Sequence, residues 1–398
     1  MKRHILAAVV SLASTSVLAQ DTRPPTDAPT PIPAKAPESE PVPAALPPPP
    51  TLVKAEPAAV SWTDRVKLSG RAYLRYSYEL GDVGKNANQF ALDRLYLQGE
   101  YQVTDNVRVQ VTLDAGDTRN ATGNNVFLAE TKYAFAELQR VFGKDTWVRA
   151  GIVPLAWVPY EEDLWGYRVQ GLIEEDRFGY ITSADLGLAA GGALPAKYGT
   201  WQVDVVNGEG YKTAEIAKRK EVQARLTINP LASLGGIASG IFLTGYGSYG
   251  EYDDAGLSAR VKSRVIAQAG IQSDPLLLVV DYAINRDANS KVSSRFTVGS
   301  DDLVRGENLS IFGVLNVGYF VPAIGGLDLF ARYDLVDPDI KLDKNDTRLF
   351  IGGVGYRFTR NIKGLINYES QSYAADVGGP ATNKPTESRF KIQTEVRF

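Results

Sequence analysis

The sequence of 398 residues contains no cysteine, and its single histidine is His4. Without thiols, disulfides and thiolate metal sites are excluded. With no imidazole beyond residue 4, Ser-His-Asp hydrolysis, Asp-His proteolysis and His-ligated zinc lose their essential group. No enzymatic activity, cofactor or metal is therefore expected. Long apolar runs are also missing: beyond residues 5–18 nothing approaches the roughly 18 apolar residues of a transmembrane helix. A chain of this kind enters a membrane only as a closed barrel, which satisfies its backbone groups between strands.

Those few apolar residues have a different meaning. Lys2 and Arg3 precede them, and Val17-Leu18-Ala19 follows, which predicts a secretory signal peptide over 1–19. Its removal takes Lys2 and Arg3 away and moves the formal charge from -3 to -5. Residues 20–60 hold 13 of the 22 prolines, Pro47 to Pro50 among them. Such a segment buries no core and extends at about 3.1 Å per residue, a reach of roughly 100 Å or more. It reads as a Pro-rich periplasmic linker, either a plain tail or a tether to peptidoglycan or a periplasmic protein.

Residues 61–398 change character completely. The last ten, Arg389 to Phe398, alternate strictly, with Phe390, Ile392, Val396 and Phe398 on one face and Arg389, Lys391, Gln393, Glu395 and Arg397 on the other. A period of two marks a strand with one apolar and one wet face. Here it runs to an aromatic carboxy terminus, the pattern of a last strand closing a barrel with lipid outside and water inside, and Phe398 reads as its assembly signal. Alternating segments recur near 66–78, 91–103, 107–115, 130–141, 146–154, 183–193, 200–206, 219–228, 237–249, 263–272, 276–285, 309–320, 327–335, 347–358, 362–370 and 387–398. The fold class predicted is therefore all-β, a transmembrane antiparallel barrel of about sixteen strands. Connections alternate between short ones, such as Thr104-Asp105-Asn106, and longer ones, as periplasmic turns and outer loops do.

Two groups of residues are candidates for a site. The longest early connection, Leu155 to Thr182, is a candidate constriction loop folded into the lumen. It carries Glu161, Glu162, Asp163, Glu174, Glu175 and Asp176 against Arg168 and Arg177, with Trp157, Tyr160, Trp165, Tyr167 and Phe178 to pack on something. On the wet parity of the closing seam lie Lys67, Arg71, Arg75, Arg94, Arg108, Arg389, Lys391 and Arg397, facing only Glu79, Glu100, Asp114 and Glu395. A basic wall across from an acidic loop would set up a transverse field in the pore. A solvated loop and an ordinary mixed lumen are the plainer alternatives. Gly245-Tyr246-Gly247-Ser248-Tyr249-Gly250 has dinucleotide-loop spacing but lies on a strand with no helix after it. The acids Asp337, Asp339, Asp343 and Asp346 lack the glycine and spacing of a calcium loop. No nucleic-acid partner is expected.

Several stretches in order, RAYLRYSYEL, FALDRLYLQGEY, KYAFAELQ leading to VRAGIVPLAWVPYEE, SADLGLAAGG, VVNGEGY and the terminal Phe, make residues 64–398 resemble the phosphate-selective porin O and P family. That resemblance implies a sixteen-stranded porin of the bacterial outer membrane, commonly a homotrimer, passing small hydrophilic solutes or anions through a water-filled lumen. Family members selective for phosphate use clustered lysines near the constriction, and 155–182 has none. Phosphate is thus one candidate anion. A structural or adhesive envelope barrel with a plugged lumen, and a carbohydrate-selective channel, are the alternative functions.

Overall fold

The computed structural model describes residues 62–81, 84–119, 125–212, 218–252, 260–374 and 385–398. The signal peptide and Pro-rich linker assigned to 1–60, with any peptidoglycan contact, lie outside the described residues. Sixteen antiparallel strands close on themselves in sequence order. They are β1 (Val66–Glu79), β2 (Asn88–Thr104), β3 (Val107–Arg119), β4 (Asn125–Gln139), β5 (Thr146–Pro154), β6 (Ala184–Ala193), β7 (Gly199–Val206) and β8 (Glu221–Ile228), followed by β9 (Ile241–Glu251), β10 (Val261–Gln272), β11 (Leu276–Ala288), β12 (Leu303–Asn316), β13 (Leu327–Asp337), β14 (Thr347–Thr359), β15 (Ile362–Tyr373) and β16 (Glu387–Arg397). Among the described residues no helix is long and apolar enough to cross a membrane.

Alternation decides which way each strand faces. Leu97, Val111, Leu188, Val205, Leu226, Leu278, Phe350 and Ile392 point outward and are exposed, while their strand neighbours are largely covered inside. The seam closes where the terminal residue suggested. β1 pairs with β16 from Arg71 opposite Arg397 to Glu79 opposite Arg389. Phe398 extends that ladder, its carbonyl accepting from Gly70 N at 2.7 Å and its N–H donating to Gly70 O at 3.1 Å. The Phe398 ring lies so close over Gly70 that a Cβ there would come within 2.4 Å of it. A side chain at position 70 would displace the ring.

One rim carries tight turns with local chemistry to hold them. Thr104 Oγ1 accepts from Val107 N at 3.2 Å, and Thr359 Oγ1 accepts from Asn361 N and Ile362 N at 3.1 Å. The strand that departs furthest from expectation is β12. β12 starts at Leu303 and ends at Asn316, six residues before the expected start and four before the expected end. Asn316 accepts from Tyr319 N at 3.1 Å and caps a helical turn over Val317–Phe320, and Pro322 follows.

Two bulges interrupt the alternation. β2 loses register against β1 between Tyr73 and Leu74, opposite Asp93. β4 loses register against β3 between Thr112 and Leu113, opposite Lys132. Each bulge places an extra residue on a strand and re-aims its side chain. Asp93 thereby reaches inward to Arg75, and Lys132 turns into the lumen beside Tyr133.

Candidate functional site

The connection between β5 and β6 folds into the barrel and forms two helices, α1 (Val158–Trp165) and α2 (Glu174–Arg177). Pro159 in the first turn and left-handed Gly166 at the end delimit α1. Its 3.6-residue period puts Glu161 and Trp165 on one face and Glu162 on another. Trp165 is 1% exposed. It packs on Phe312 and Phe330 of the wall, ring centroids 5.3 and 6.0 Å away, and on Tyr167 at 5.5 Å. Tyr167 stacks on Phe330 at 4.4 Å, and Trp157 meets Tyr246 at 5.4 Å. These aromatics join Leu277, Val279, Ile351 and Leu365 of β11, β14 and β15 in one apolar core. The loop is therefore docked on one half of the inner wall.

Polar contacts fix its path. Wall side chains donate to loop carbonyls: Arg225 Nε to Ala156 O at 2.8 Å, Lys363 Nζ to Gly166 O at 2.8 Å and Gln393 Nε2 to Val169 O at 2.6 Å. Arg332 Nη1 to Leu172 O at 2.9 Å, Arg264 Nε to Tyr180 O at 3.0 Å and Lys391 Nζ to Gln170 O at 3.5 Å add to these. Glu369 of β15 accepts from Gln170 at 2.9 Å, Arg177 at 2.8 Å and Lys391 at 2.7 Å.

This docking corrects the expected division into acidic loop and basic wall. Glu161, Glu174 and Glu175 do not face the pore. They are buried behind the loop against Asp281 of β11, Asp334 and Arg332 of β13, and Asn285 and Asn308. Burial pushes the Glu161 carboxyl up to about 8, with Glu175 and Asp334 adding to it and Arg332 opposing. The same burial holds Glu174 and Glu175 above the usual carboxylate range. Glu162, Asp163 and Asp176 are the loop acids that border open space. Burial and Glu162 raise Asp176 to about 6 against Arg168.

The basic seam is corrected in the same way, because the expected acids and four others, Asp93, Glu137, Glu369 and Glu387, together neutralise most of it. Arg75 binds Asp93 at 2.9 Å, Arg94 binds Asp114 at 2.7 Å, and Arg108 bridges Glu100 and Glu137 at 2.9 and 3.0 Å. Arg389 holds Glu387 at 3.0 Å, and Arg397 holds Glu395 at 2.7 Å. Lys391 lies under the loop on Glu369, so it is not a pore-lining charge. Lys67 stands 3.8 Å from Glu100. Arg71 has no carboxylate at salt-bridge distance among the described residues and lies opposite Arg397 on the closing strand.

What remains open runs between the loop and the other half of the wall. One chamber of about 550 Å³ is bordered by cations Lys67, Arg71, Lys132, Arg149, Arg168 and Arg397 against Glu162 and Asp163. A second of about 330 Å³ is bordered by Arg94, Lys132, Arg168 and Lys212 against Asp176 and Glu209. The first lies toward the rim of short turns and the second toward the long loops. They share Lys132 and Arg168. Arg168 Nε binds Glu162 at 2.5 Å. Lys132 Nζ donates to Tyr96 OH at 3.4 Å and sits 4.9 and 5.6 Å from the Tyr96 and Tyr133 ring centroids. Neither Lys132 nor Arg149 was among the residues expected from sequence. Arg149 lies 3.7 Å over Trp147 and pairs with Glu137 at 2.7 Å.

No protein-family model matches the sequence, and no curated protein matches it. Solved structures do resemble the fold. An anion-selective porin from Comamonas acidovorans superposes with a TM-score of 0.58 at 12% identity, covering 84% of this chain and 99% of that one. OmpF of Salmonella typhi, solved with daunomycin, gives 0.57 at 12% identity over 84% and 97%. OmpT of Vibrio cholerae in its trimer form, an outer membrane protein, gives 0.55 at 12% identity over 84% and 99%. The fold is that of bacterial outer-membrane porins.

Proposed function

We propose that this chain is an outer-membrane channel through which small hydrophilic solutes diffuse passively, with anions preferred. The observation that carries this reading is the pair of chambers meeting at Lys132 and Arg168, each bordered by more cations than acids. In a narrow, low-dielectric passage such an excess lowers the entry barrier for anions and raises it for cations. The preference rests on few charges, because most of the seam is internally neutralised. The likeness to an anion-selective porin and to an outer membrane protein in trimer form supports, at the level of fold, a trimeric channel in the outer membrane. Phosphate as the favoured solute gains no support from the loop, which has no lysine over 155–182.

A plugged structural barrel is the competing reading, favoured by the aromatic core that fills one side of the lumen. Purified protein added to a planar lipid bilayer separates the two. Discrete, stable conductance steps in KCl are the expected result. A protein that inserts folded yet leaves the bilayer non-conducting would overturn the channel reading.

A further inference from the structure

We propose that Lys132, with Tyr96 and Tyr133 beside it, is a binding subsite for monocarboxylates that carry a flat aromatic body. This goes beyond a general anion preference and rests on the channel reading. Lys132 is only 5% exposed, yet it borders both chambers. Its one hydrogen bond among the described residues, to Tyr96 OH, is long at 3.4 Å. Among the described residues no carboxylate lies within salt-bridge distance of its ammonium. A buried cation with no carboxylate in direct contact is unfavourable, and a carboxylate arriving there supplies that contact. Two of the cations around it are already committed: Arg168 to Glu162 at 2.5 Å and Arg94 to Asp114 at 2.7 Å. Lys132 therefore offers a positive charge with no salt bridge of its own, matched to a single carboxylate.

The body of the ligand is selected by what surrounds that charge. Tyr73 meets Tyr96 edge to face at 5.8 Å, and the Tyr96 and Tyr133 rings flank the ammonium. An aromatic ring gains offset or edge-to-face contact with such side chains that acetate and phosphate lack. The bulge at Lys132 is what makes the arrangement: it turns the lysine inward next to Tyr133 instead of leaving it on the outward face.

Single-channel chloride currents through the full chain, titrated with benzoate, acetate and phosphate, test this. Benzoate is expected to block at a concentration roughly 10-fold below that of acetate or phosphate. Lys132→Gln should still conduct and lose most of that block, Lys132→Arg should keep it, and Tyr96→Leu should weaken benzoate roughly 2- to 10-fold while leaving acetate alone. Phosphate blocking as well as benzoate, or Lys132→Gln leaving the block intact, would overturn the subsite. Calorimetric titration of benzoate into the detergent-solubilised barrel reads the same site without conduction. A silent bilayer thus counts against the channel alone, and absent benzoate binding against the subsite alone.

Discussion

Trp165→Ala should undock the constriction loop and widen the passage. The indole is 1% exposed and lies between Tyr167 of the loop and Phe312 and Phe330 of the wall. Removing a buried Trp side chain costs about 3–5 kcal/mol, because packing is lost and a cavity remains. None of the sixteen strands contains Trp165, so this cost falls on loop docking and not on barrel closure. A loss of that size shifts the docked-to-undocked ratio roughly 100- to 5,000-fold. The contacts that remain are Tyr167 on Phe330 and Trp157 on Tyr246, together with polar ones, Glu369 with Arg177 and the wall donors to loop carbonyls, that face water once the loop lifts. The expected readout is a larger mean conductance with pronounced open-channel noise, and faster hydrogen exchange over residues 158–177, while strand exchange stays slow. Unchanged conductance and unchanged loop protection in a folded Trp165→Ala protein would refute the claim that aromatic packing positions the loop.

Loop docking should also depend on pH. Burial raises Glu161 to about 8, and it holds Glu174 and Glu175 above the usual range as well. A carboxyl raised in the docked state binds its proton more tightly there than in the undocked state. Its contribution is complete below about 4.5 and is lost as pH rises through about 8, by up to about 1.4 kcal/mol per pH unit for each titrating group. Hydrogen exchange of 158–177, corrected for intrinsic rate, should show stronger protection at pH 5 than at pH 9, and equal protection would contradict this. Glu369→Ala leaves Lys391 and Arg177 without their shared partner and should destabilise the barrel or its loop by about 3–5 kcal/mol, seen as a lower unfolding temperature. Deleting Phe398 removes two seam hydrogen bonds, each worth about 1 kcal/mol. Slower assembly into the heat-resistant folded form on a gel is expected, and wild-type kinetics would exclude a role in closure.

Much of the fold was legible from period-two alternation, because a wall with lipid outside and water inside imposes one residue type on each face. The site was legible only in part, and the misses have local causes. Strict parity puts Asp93 with Ala91, Leu95 and Leu97, and Lys132 with Ala134, Ala136 and Leu138, on the outward face. Bulges reverse both. A signal existed: a lysine on the lipid face costs about 2–4 kcal/mol at the midplane, so Lys132 at that parity was itself a reason to expect a break in register. The loop acids were misplaced for another reason. Residues 158–165 form a helix, and its period separates adjacent Glu161 and Glu162 onto different faces. Neutralisation of the seam by Glu137, Glu369 and Glu387 depends on which strands neighbour which, and the seam residues alone do not reveal it.

The proposed channel holds a passage whose charge favours anions. The zero-current potential of the wild-type channel across a tenfold KCl gradient tests it most directly. The expected sign is the one set by chloride permeation, with Lys132→Gln moving the potential toward zero. A potential of the opposite sign, set by potassium, would contradict it.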